Sequence, residues 1–408
     1  MISTILVPLI VLGVLIVVHE FGHFIAAKWC KVSVIRFAVG FGPALFKKRV
    51  GETLYQVCAI PLGGYVRMMG DIPDMITGRQ ESDGAVRALE DLNEEELQQQ
   101  YGLSDEDQKL ISDRSSWFLE KPLLQRSFIV AAGPIANFLL AWLLVTVCVL
   151  CYGKEDISEE PIIGKIAQGS PAQQAGITPG DRVLNINGVD IQNWEKLAKT
   201  IRNGTGEELT LKVERSGELT NIFVTPESQE DRMLTGETRK VFMIGIGPEI
   251  SVRDAGFIES AQLGALWTTR ASVGTLMGLW GLVSGYVSPK ELAGPLFILG
   301  EANRQADKGL EDLLMFMALI SVSLAVLNLL PIPILDGGHL LFFMVEGIFG
   351  AISVKKREMA QQVGMVFLLS LMGFAIYNDI FRDPTDFNGD IKWKSSQEKI
   401  APEKKSAK

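Results

Sequence analysis

Four long apolar segments constrain the fold of this chain more strongly than any other feature of its sequence. They occupy residues 5–27, 127–152, 313–335 and 363–376 of the 408-residue chain. A helix satisfies its own backbone groups and so can cross hydrocarbon, for which it needs about 20 mostly apolar residues. Hydrophobic residues make up 47% of the chain, which agrees with partial residence in a membrane. We therefore predict a polytopic α-helical membrane protein with about four transmembrane helices.

The charges around these segments predict the orientation of the chain. No Lys or Arg precedes the first segment, whereas Lys28, Lys31 and further basic residues follow it. A cleaved signal peptide has the opposite arrangement, so we interpret this segment as a retained transmembrane helix. Basic residues favour the cytoplasmic side, and the basic residues 355–357 fall on that same side, which places both termini outside. The net charge of −9 argues against a nucleic-acid partner.

Residues 161–250 have the composition of a soluble domain. Within them, the stretch SPAQQAGITPGDRVLNINGVDI indicates a short helix ended by Gly176, and its Asn187-Gly188 pair suits a type I′ turn between strands. This stretch resembles PDZ domains. The resemblance implies an inserted PDZ-like α+β domain that recognises an extended peptide or a chain terminus by strand addition. A purely structural outer domain is the alternative.

Three further regions differ in character from these. The stretch YQVCAIPLGGYVRMMGD favours strands, either as a soluble hairpin or as a membrane-associated β-hairpin. Residues 81–113 are rich in Asp and Glu and predict a solvated cytoplasmic insert, to which we assign no chemistry. The apolar stretch 261–287 is interrupted by glycines and is either a fifth crossing or an amphipathic helix on the outer membrane surface. We favour the surface, because a fifth crossing would move residues 355–357 to the wrong side.

The predicted organisation follows from these regions. It comprises a first helix with the hairpin (1–80), the acidic insert (81–126), a second helix (127–152), the PDZ-like domain (161–250), a membrane-surface segment (251–312), the third and fourth helices (313–380) and a polar tail (381–408). The chain has four cysteines, none of them in the PDZ-like domain, so we predict no disulfide framework.

The sequence HEFGH, at the end of the first apolar segment, predicts a metal site. His19 and His23 are four residues apart, so on a helix their rings project from one face and can reach one ion. Glu20 points partly aside. This direction suits a general base that takes a proton from water better than it suits a metal ligand. Zinc fits this set of nitrogen and oxygen donors best. Chance matches to the motif are common, but ionisable groups at the end of a membrane helix rarely persist without partners.

The only other histidine lies in NLLPIPILDGGHL, which ends another apolar segment. Asp336 could provide a third ligand there, and His339 is a chemically reasonable competitor, because both could face inward. Pro331 and Pro333 break the helix and free backbone groups. Those groups, with the Asn328 amide, could hydrogen-bond an extended substrate. A hydrogen bond between helices is the alternative role for Asn328.

Taken together, the motifs resemble those of the site-2 protease family of intramembrane zinc metalloproteases, in particular the RseP-type regulators of sigma-E. They are HEFGH, the G-P-x-x-N pattern of Gly133, Pro134 and Asn137, the PDZ-like domain, and N-x-x-P-x-P-x-x-D-G-G-H. The resemblance implies a Zn²⁺-dependent endopeptidase that cuts transmembrane helices. The ligands it implies are His19, His23 and Asp336 rather than His339, with Glu20 as the catalytic base.

The same resemblance implies further residues and a location. It matches Gly63, Gly64 and Tyr65 to a membrane-embedded hairpin that holds substrate, and Asn328, Pro331 and Pro333 to a substrate-contacting strand. It also implies a bacterial inner-membrane protein with the PDZ-like domain on the periplasmic side. The expected partners are the lipid bilayer and single-span membrane proteins already shortened by another protease, such as anti-sigma factors or signal peptides. Only one PDZ-like domain is evident here, whereas well-known members carry two.

Two other functions remain compatible with the sequence. A membrane zinc transporter or carrier would also place His and Asp in its helices, but it would place polar residues at several depths. An inactive scaffold would use the PDZ-like domain alone. The ionisable groups instead cluster near the cytoplasmic ends of two segments, which favours one fixed site.

Overall fold

The computed structural model describes residues 2–70, 113–232, 238–350 and 352–381. Most of the predicted acidic insert and nearly all of the polar tail lie outside these residues. The described chain divides into two compact units. The helical unit contains Met1–Cys151, Gly256–Trp280 and Ser288–Arg382, and the sheet unit contains Tyr152–Ala255 and Gly281–Val287.

The helices are, in chain order, α1 (Ile2–Trp29), α2 (Leu123–Tyr152), α3 (Pro171–Gln174), α4 (Trp194–Arg202), α5 (Phe257–Val283), α6 (Pro295–Lys308), α7 (Leu310–Asn328), α8 (Asp336–Phe349) and α9 (Val354–Phe381). The strands are β1 (Val34–Val50), β2 (Thr53–Met68), β3 (Lys154–Ile157), β4 (Ile163–Ile166), β5 (Arg182–Ile186), β6 (Val189–Asp190), β7 (Leu209–Arg215), β8 (Glu218–Val224), β9 (Glu227–Arg232), β10 (Thr238–Met243), β11 (Ile246–Pro248) and β12 (Ile250–Arg253).

Within the described ranges, four helical segments are long and apolar enough to cross a membrane. They are Leu6–Trp29, Leu123–Tyr152, Leu310–Asn328 and Lys355–Phe381. Each corresponds to one of the predicted apolar segments. The apolar segment continues to residue 335, but α7 itself ends at Asn328, which agrees with the predicted break of the helix. Pro331 and Pro333 follow within five residues, and proline has no N–H with which to continue a helix.

The predicted membrane-surface segment folds as two helices. The first, α5, packs against α2 in the helical unit: the Trp142 indole donates to the Ala261 carbonyl at 2.9 Å, and a Cβ on Gly264 would lie 2.5 Å from the Thr146 hydroxyl. The second, α6, packs against α1, α7 and α9. The Asp379 carboxylate on α9 caps the start of α6 by accepting from two backbone N–H groups there.

Strands β1 and β2 pair in a doubled register rather than as a simple hairpin. Residues 34–39 pair with residues 64–68 and also with residues 54–57, and residues 44–50 pair with residues 53–58. Gly40 and Gly42 have φ values of 87° and 86°, which allow β1 to bend between its two halves. The resulting sheet packs on α1, where it borders the HEFGH motif.

The sheet unit contains a four-stranded sheet in the order β6-β5-β7-β8, with the shorter pairs β4–β11, β3–β12 and β9–β10. Its buried core includes Ile163, Val183 and Leu197. Asn187 and Gly188 have φ values of 49° and 85° and join β5 to β6, as the predicted type I′ turn requires.

A buried carboxylate, Asp181, connects the start of β5 to the end of β7. Asp181 is fully buried and accepts two hydrogen bonds from the Arg215 guanidinium, each at 2.7 Å, and one from the Thr178 N–H. Burial alone raises the pKa of Asp181, but these hydrogen bonds outweigh it and hold the pKa below its usual value.

Candidate metal centre

Helix α1 places the two imidazoles of HEFGH side by side. The Nε2 atoms of His19 and His23 are 3.2 Å apart, and the ring planes are nearly perpendicular. The four-residue spacing produces this arrangement, because residues i and i+4 lie one above the other on a helix face. Both rings are largely shielded from solvent, with His23 at 9% exposure.

Asp336 reaches the same point from the far end of the chain, because of the turn that precedes α8. After α7, residues 329–335 fold back against the start of α8. A Cβ on Gly337 would lie 2.3 Å from the carbonyl oxygens of Leu329 and Leu330, and one on Gly338 would lie 2.3 Å from that of Ile332. Two glycines are therefore required directly after Asp336. Without them, the loop could not approach the helix closely enough to aim this carboxylate at α1.

His19, His23 and Asp336 converge to form a compact group of possible ligands. Their ligand atoms all lie within 4.8 Å of one another. The Asp336 Oδ2 atom lies 3.2 Å from His19 Nε2 and 3.5 Å from His23 Nε2. Among the described residues, His339 does not belong to any such group of three.

The chemistry of this group fits a bound cation. Asp336 Oδ2 is buried, and no donor in the described part of the chain makes a well-aligned hydrogen bond to it, although two ring nitrogens lie close by. A buried carboxylate oxygen in that position lacks a partner that a metal ion would supply. Two imidazoles and one carboxylate form a three-ligand set of the kind found at catalytic zinc sites.

Helix α2 approaches the imidazoles so closely that only glycine fits at the contact. A Cβ on Gly133 would lie 2.3 Å from Nε2 of His23 and 2.9 Å from Cε1 of His19. The same helix orients both rings, since Nδ1 of His23 lies 2.9 Å from the Ile129 carbonyl and Nδ1 of His19 lies 3.3 Å from the Asn137 amide.

Glu20 lies beside this group rather than within it. The backbone N–H of Val66 on β2 donates to its carboxylate, and a Cβ on Gly64 would lie 3.0 Å from its Cγ. Glu20 lines a cavity of about 270 Å³ together with His19, Asn137, Asn328 and Asp336. A carboxylate in this place can exchange a proton with a water molecule or substrate held in the cavity.

The family of the chain follows from comparison with known proteins. Residues 7–371 match the model of peptidase family M50. The chain belongs to this family. It is 34% identical to a candidate zinc metalloprotease of Rhizobium meliloti (strain 1021), covering 91% of this chain and 95% of that protein. It is 30% identical to the regulator of sigma-W protease RasP of Bacillus subtilis (strain 168), covering 93% of this chain and 99% of that protein.

A third relative is the zinc metalloprotease RasP of Geobacillus kaustophilus (strain HTA426), 30% identical over 91% of this chain and 96% of that protein. The predicted resemblance to site-2 proteases is therefore confirmed, and so is the prediction of an enzyme of that type. The expectation of zinc is confirmed at the level of the family.

The other predicted site residues of this M50 peptidase divide into two groups. Gly63, Gly64 and Asn328 line the cavity, and the Asn328 amide lies 3.5 Å from Nε2 of His19. Tyr65, Pro331 and Pro333 do not line it. The Tyr65 hydroxyl accepts from the Gln56 amide within the β1–β2 sheet, and the two prolines belong to the loop that ends α7.

Two residues that contact the imidazoles have no role predicted from the sequence. Gly133 and Asn137 of this M50 peptidase appeared only as members of a motif, although their four-residue spacing already placed them on one face of α2. The sequence cannot show that this face meets α1, because that contact depends on how the two helices pack.

Proposed function

We propose that this chain is a zinc-dependent intramembrane endopeptidase that cleaves the transmembrane segments of membrane proteins already shortened by another protease. His19, His23 and Asp336 hold the zinc ion, and Glu20 is the catalytic base. The observation that supports this proposal best is the convergence of three possible ligand atoms beside a carboxylate that is not one of them. Two of the atoms come from α1 and the third comes from a residue more than three hundred positions later.

Zinc bound by these three groups supplies Lewis acidity, which makes water a nucleophile near neutral pH and polarises a peptide carbonyl. Glu20 removes a proton from the attacking water and delivers it to the leaving amine. The Val66 N–H keeps the Glu20 carboxylate directed at the cavity while the proton is transferred. The surrounding apolar helices limit the access of bulk water.

The substrate must be extended where it is cut, because the carbonyl groups of a membrane helix are already hydrogen-bonded. Gly63 and Gly64 of β2 form one wall of the cavity, and Asn328, Ile334 and Leu335 form another. We propose that the cleaved segment pairs with backbone groups between these walls, as an added strand would. Glycines suit the first wall because they let another backbone approach closely. Tyr65, Pro331 and Pro333 adjoin these walls along the chain without lining the cavity.

The sheet unit carries a groove that suits a second contact with substrate. A cavity of about 570 Å³ lies between α4 and residues 242–248. Apolar residues such as Trp194 and Phe242 line it, with Lys165 and Arg202 as its charged residues. We propose that this PDZ-like domain receives an extended apolar segment or chain terminus that carries negative charge.

The proposed location is the bacterial inner membrane, with about four crossings and the sheet unit on the periplasmic side. Substrates of the anti-sigma factor or signal-peptide type fit this arrangement, because each exposes a shortened outer end before the final cut. The basic residues that follow α1 and begin α9 support the orientation, since both clusters favour the cytoplasmic face.

The decisive experiment for Glu20 is co-expression with a tagged single-span membrane protein truncated on its outer side. We expect the native chain to cleave this substrate and Glu20→Gln to leave it intact, while both purified proteins contain equal zinc. Equal cleavage by both would contradict the assignment of the base.

The ligand set is tested by zinc content. We expect His23→Ala and Asp336→Ala to lose bound zinc and His339→Ala to keep it, because His339 lies in the same motif without joining the ligand group. Retention of zinc by both His23→Ala and Asp336→Ala would show that the metal is held elsewhere.

A further inference from the structure

Asn137 is buried at the metal centre, where the chemistry proposed above gives it no role. Its side chain has no solvent exposure, and its Nδ2 atom lies 3.3 Å from Nδ1 of His19. Its Oδ1 atom is also buried and has no hydrogen-bond partner among the described residues. The Asn137 main-chain carbonyl accepts from the buried Ser321 hydroxyl of α7 at 2.8 Å. The Asn137 backbone on α2 is therefore hydrogen-bonded to α7, while the side-chain oxygen has no hydrogen-bond partner among the described residues.

The position of one proton on His19 depends on this amide. A neutral imidazole carries a single N–H, so one ring nitrogen donates and the other accepts. With the Asn137 NH₂ group facing Nδ1, that nitrogen accepts and the proton lies on Nε2, which is 3.2 Å from Asp336. A metal ligand needs the Nε2 lone pair instead, so in the ligating tautomer the proton lies on Nδ1.

In that tautomer, His19 needs an acceptor opposite Nδ1, and Asn137 carries one. A half-turn of the amide about its last side-chain bond exchanges Nδ2 and Oδ1, so that the unpaired oxygen can receive the Nδ1 proton. His23 has no such choice. Its Nδ1 faces the Ile129 carbonyl at 2.9 Å, and a carbonyl oxygen only accepts, so its Nε2 already presents a lone pair.

We propose that Asn137 is a positioning residue that sets the tautomer of His19, donating to Nδ1 in the metal-free protein and accepting from it when the metal is bound. This inference rests on the proposed ligand set. Outer partners of ligating histidines typically change metal affinity by about 10- to 100-fold. A residue that serves both tautomers keeps the ring oriented in each state, so the site does not need to rebuild before it binds the ion.

The test compares Asn137→Leu, which removes both polar ends, with Asn137→Asp, which offers acceptors and can replace the oxygen. Zinc affinity is measured on the purified full-length protein by competition with a chelator. We expect Asn137→Leu to bind zinc about 10- to 100-fold more weakly. We expect Asn137→Asp to bind it at least as tightly as the native chain.

Asn378→Leu is the matched control. It removes another buried amide of the helical unit, one that donates to the Pro289 carbonyl. We expect it to keep native zinc affinity, which separates loss of packing from loss of the contact to His19.

Ring-nitrogen NMR provides a readout that a packing role would not change. The chain has three histidines, so ¹⁵N-histidine labelling in a His339→Ala background leaves two rings to assign. We expect the protonated nitrogen of His19 to change from Nε2 to Nδ1 when zinc is added to the native amide, and to be Nδ1 throughout in Asn137→Asp.

Native zinc affinity in Asn137→Leu would overturn the inference, and so would equal weakening in Asn137→Leu and Asn137→Asp. Neither result would contradict the proposal that His19, His23 and Asp336 hold the zinc ion. Zinc retained by His23→Ala would instead mean that the ligand set itself is wrong.

Discussion

At the scale of single residues, Gly133 is a position where the candidate metal centre has little room for a side chain. Gly133→Ala would place a methyl group 2.3 Å from Nε2 of His23 and 2.9 Å from Cε1 of His19, so both rings must move. We expect zinc affinity to fall at least about 10-fold, since the ligand atoms would no longer converge. Chelator competition on the purified variant measures this loss.

Gly13→Ala is the matched control for that substitution. Gly13 lies on α1, the helix that carries both imidazoles, and a Cβ there would meet nothing within 4 Å. We expect it to keep native zinc affinity. If Gly133→Ala also kept native affinity, the close contact between α2 and the imidazoles would not limit the site.

The three proposed ligands differ in how far the sequence alone could identify them. His19 and His23 follow from helical spacing, which is a local property. The choice between Asp336 and His339 does not, because it depends on the loop between α7 and α8. That loop reaches the start of α8 only because Gly337 and Gly338 leave space for its carbonyl oxygens.

At the scale of secondary-structure elements, Asp181 at the start of β5 is joined to β7 through Arg215. This link predicts that the stability of the sheet unit depends on pH. Hydrogen bonds hold its pKa below the usual value despite burial. Its contribution to stability is therefore complete above the unfolded-state pKa of about 3.9 and is lost as pH falls through the lower folded-state value.

We expect Asp181→Asn to destabilise the sheet unit by about 1–3 kcal/mol near neutral pH, towards the lower end because Arg215 is partly exposed. Hydrogen exchange of residues 161–224 in the full chain, measured between pH 5 and pH 3, should show a smaller acid-induced loss of protection in this variant. Glu218→Gln, an exposed carboxylate on β8, should behave like the native chain. An unchanged acid response in Asp181→Asn would contradict the role of this carboxylate.

The end of α7 and the whole of α6 show what periodicity and composition cannot predict. The prolines after Asn328 indicated a helix break, but apolar composition continues to residue 335 and obscured where α7 ends. Helix α6 was not distinguished within the predicted surface segment. Its first turns are apolar and its last turns carry charged residues such as Glu301 and Arg304. Its start is capped by Asp379, which is more than eighty residues away in sequence.

At the scale of the whole molecule, every proposed metal ligand belongs to the helical unit. We expect removal of zinc by a chelator to lower hydrogen-exchange protection around residues 16–23 and 336–340. A ligand present at 100 times its dissociation constant stabilises the folded state by about 2.7 kcal/mol. This value indicates how much stabilising free energy is lost when zinc is removed.

The sheet unit provides the internal comparison in that experiment. Peptides from residues 161–224 should keep their protection, because no proposed ligand lies there. Equal loss in both units would mean that the metal stabilises the whole chain rather than this site. The division into two units could be predicted from the change in composition after residue 152, whereas the packing of α5 and α6 could not, since it depends on contacts between distant segments.

If His23 and Asp336 hold the metal as proposed, the distance between them along the chain also determines when the enzyme can become active. Translation proceeds from the N-terminus, so more than three hundred residues must be made after His23 before Asp336, the third proposed ligand, exists. Until Asp336 has been made, the proposed metal site has only its two imidazoles, so we expect the unfinished chain to be inactive.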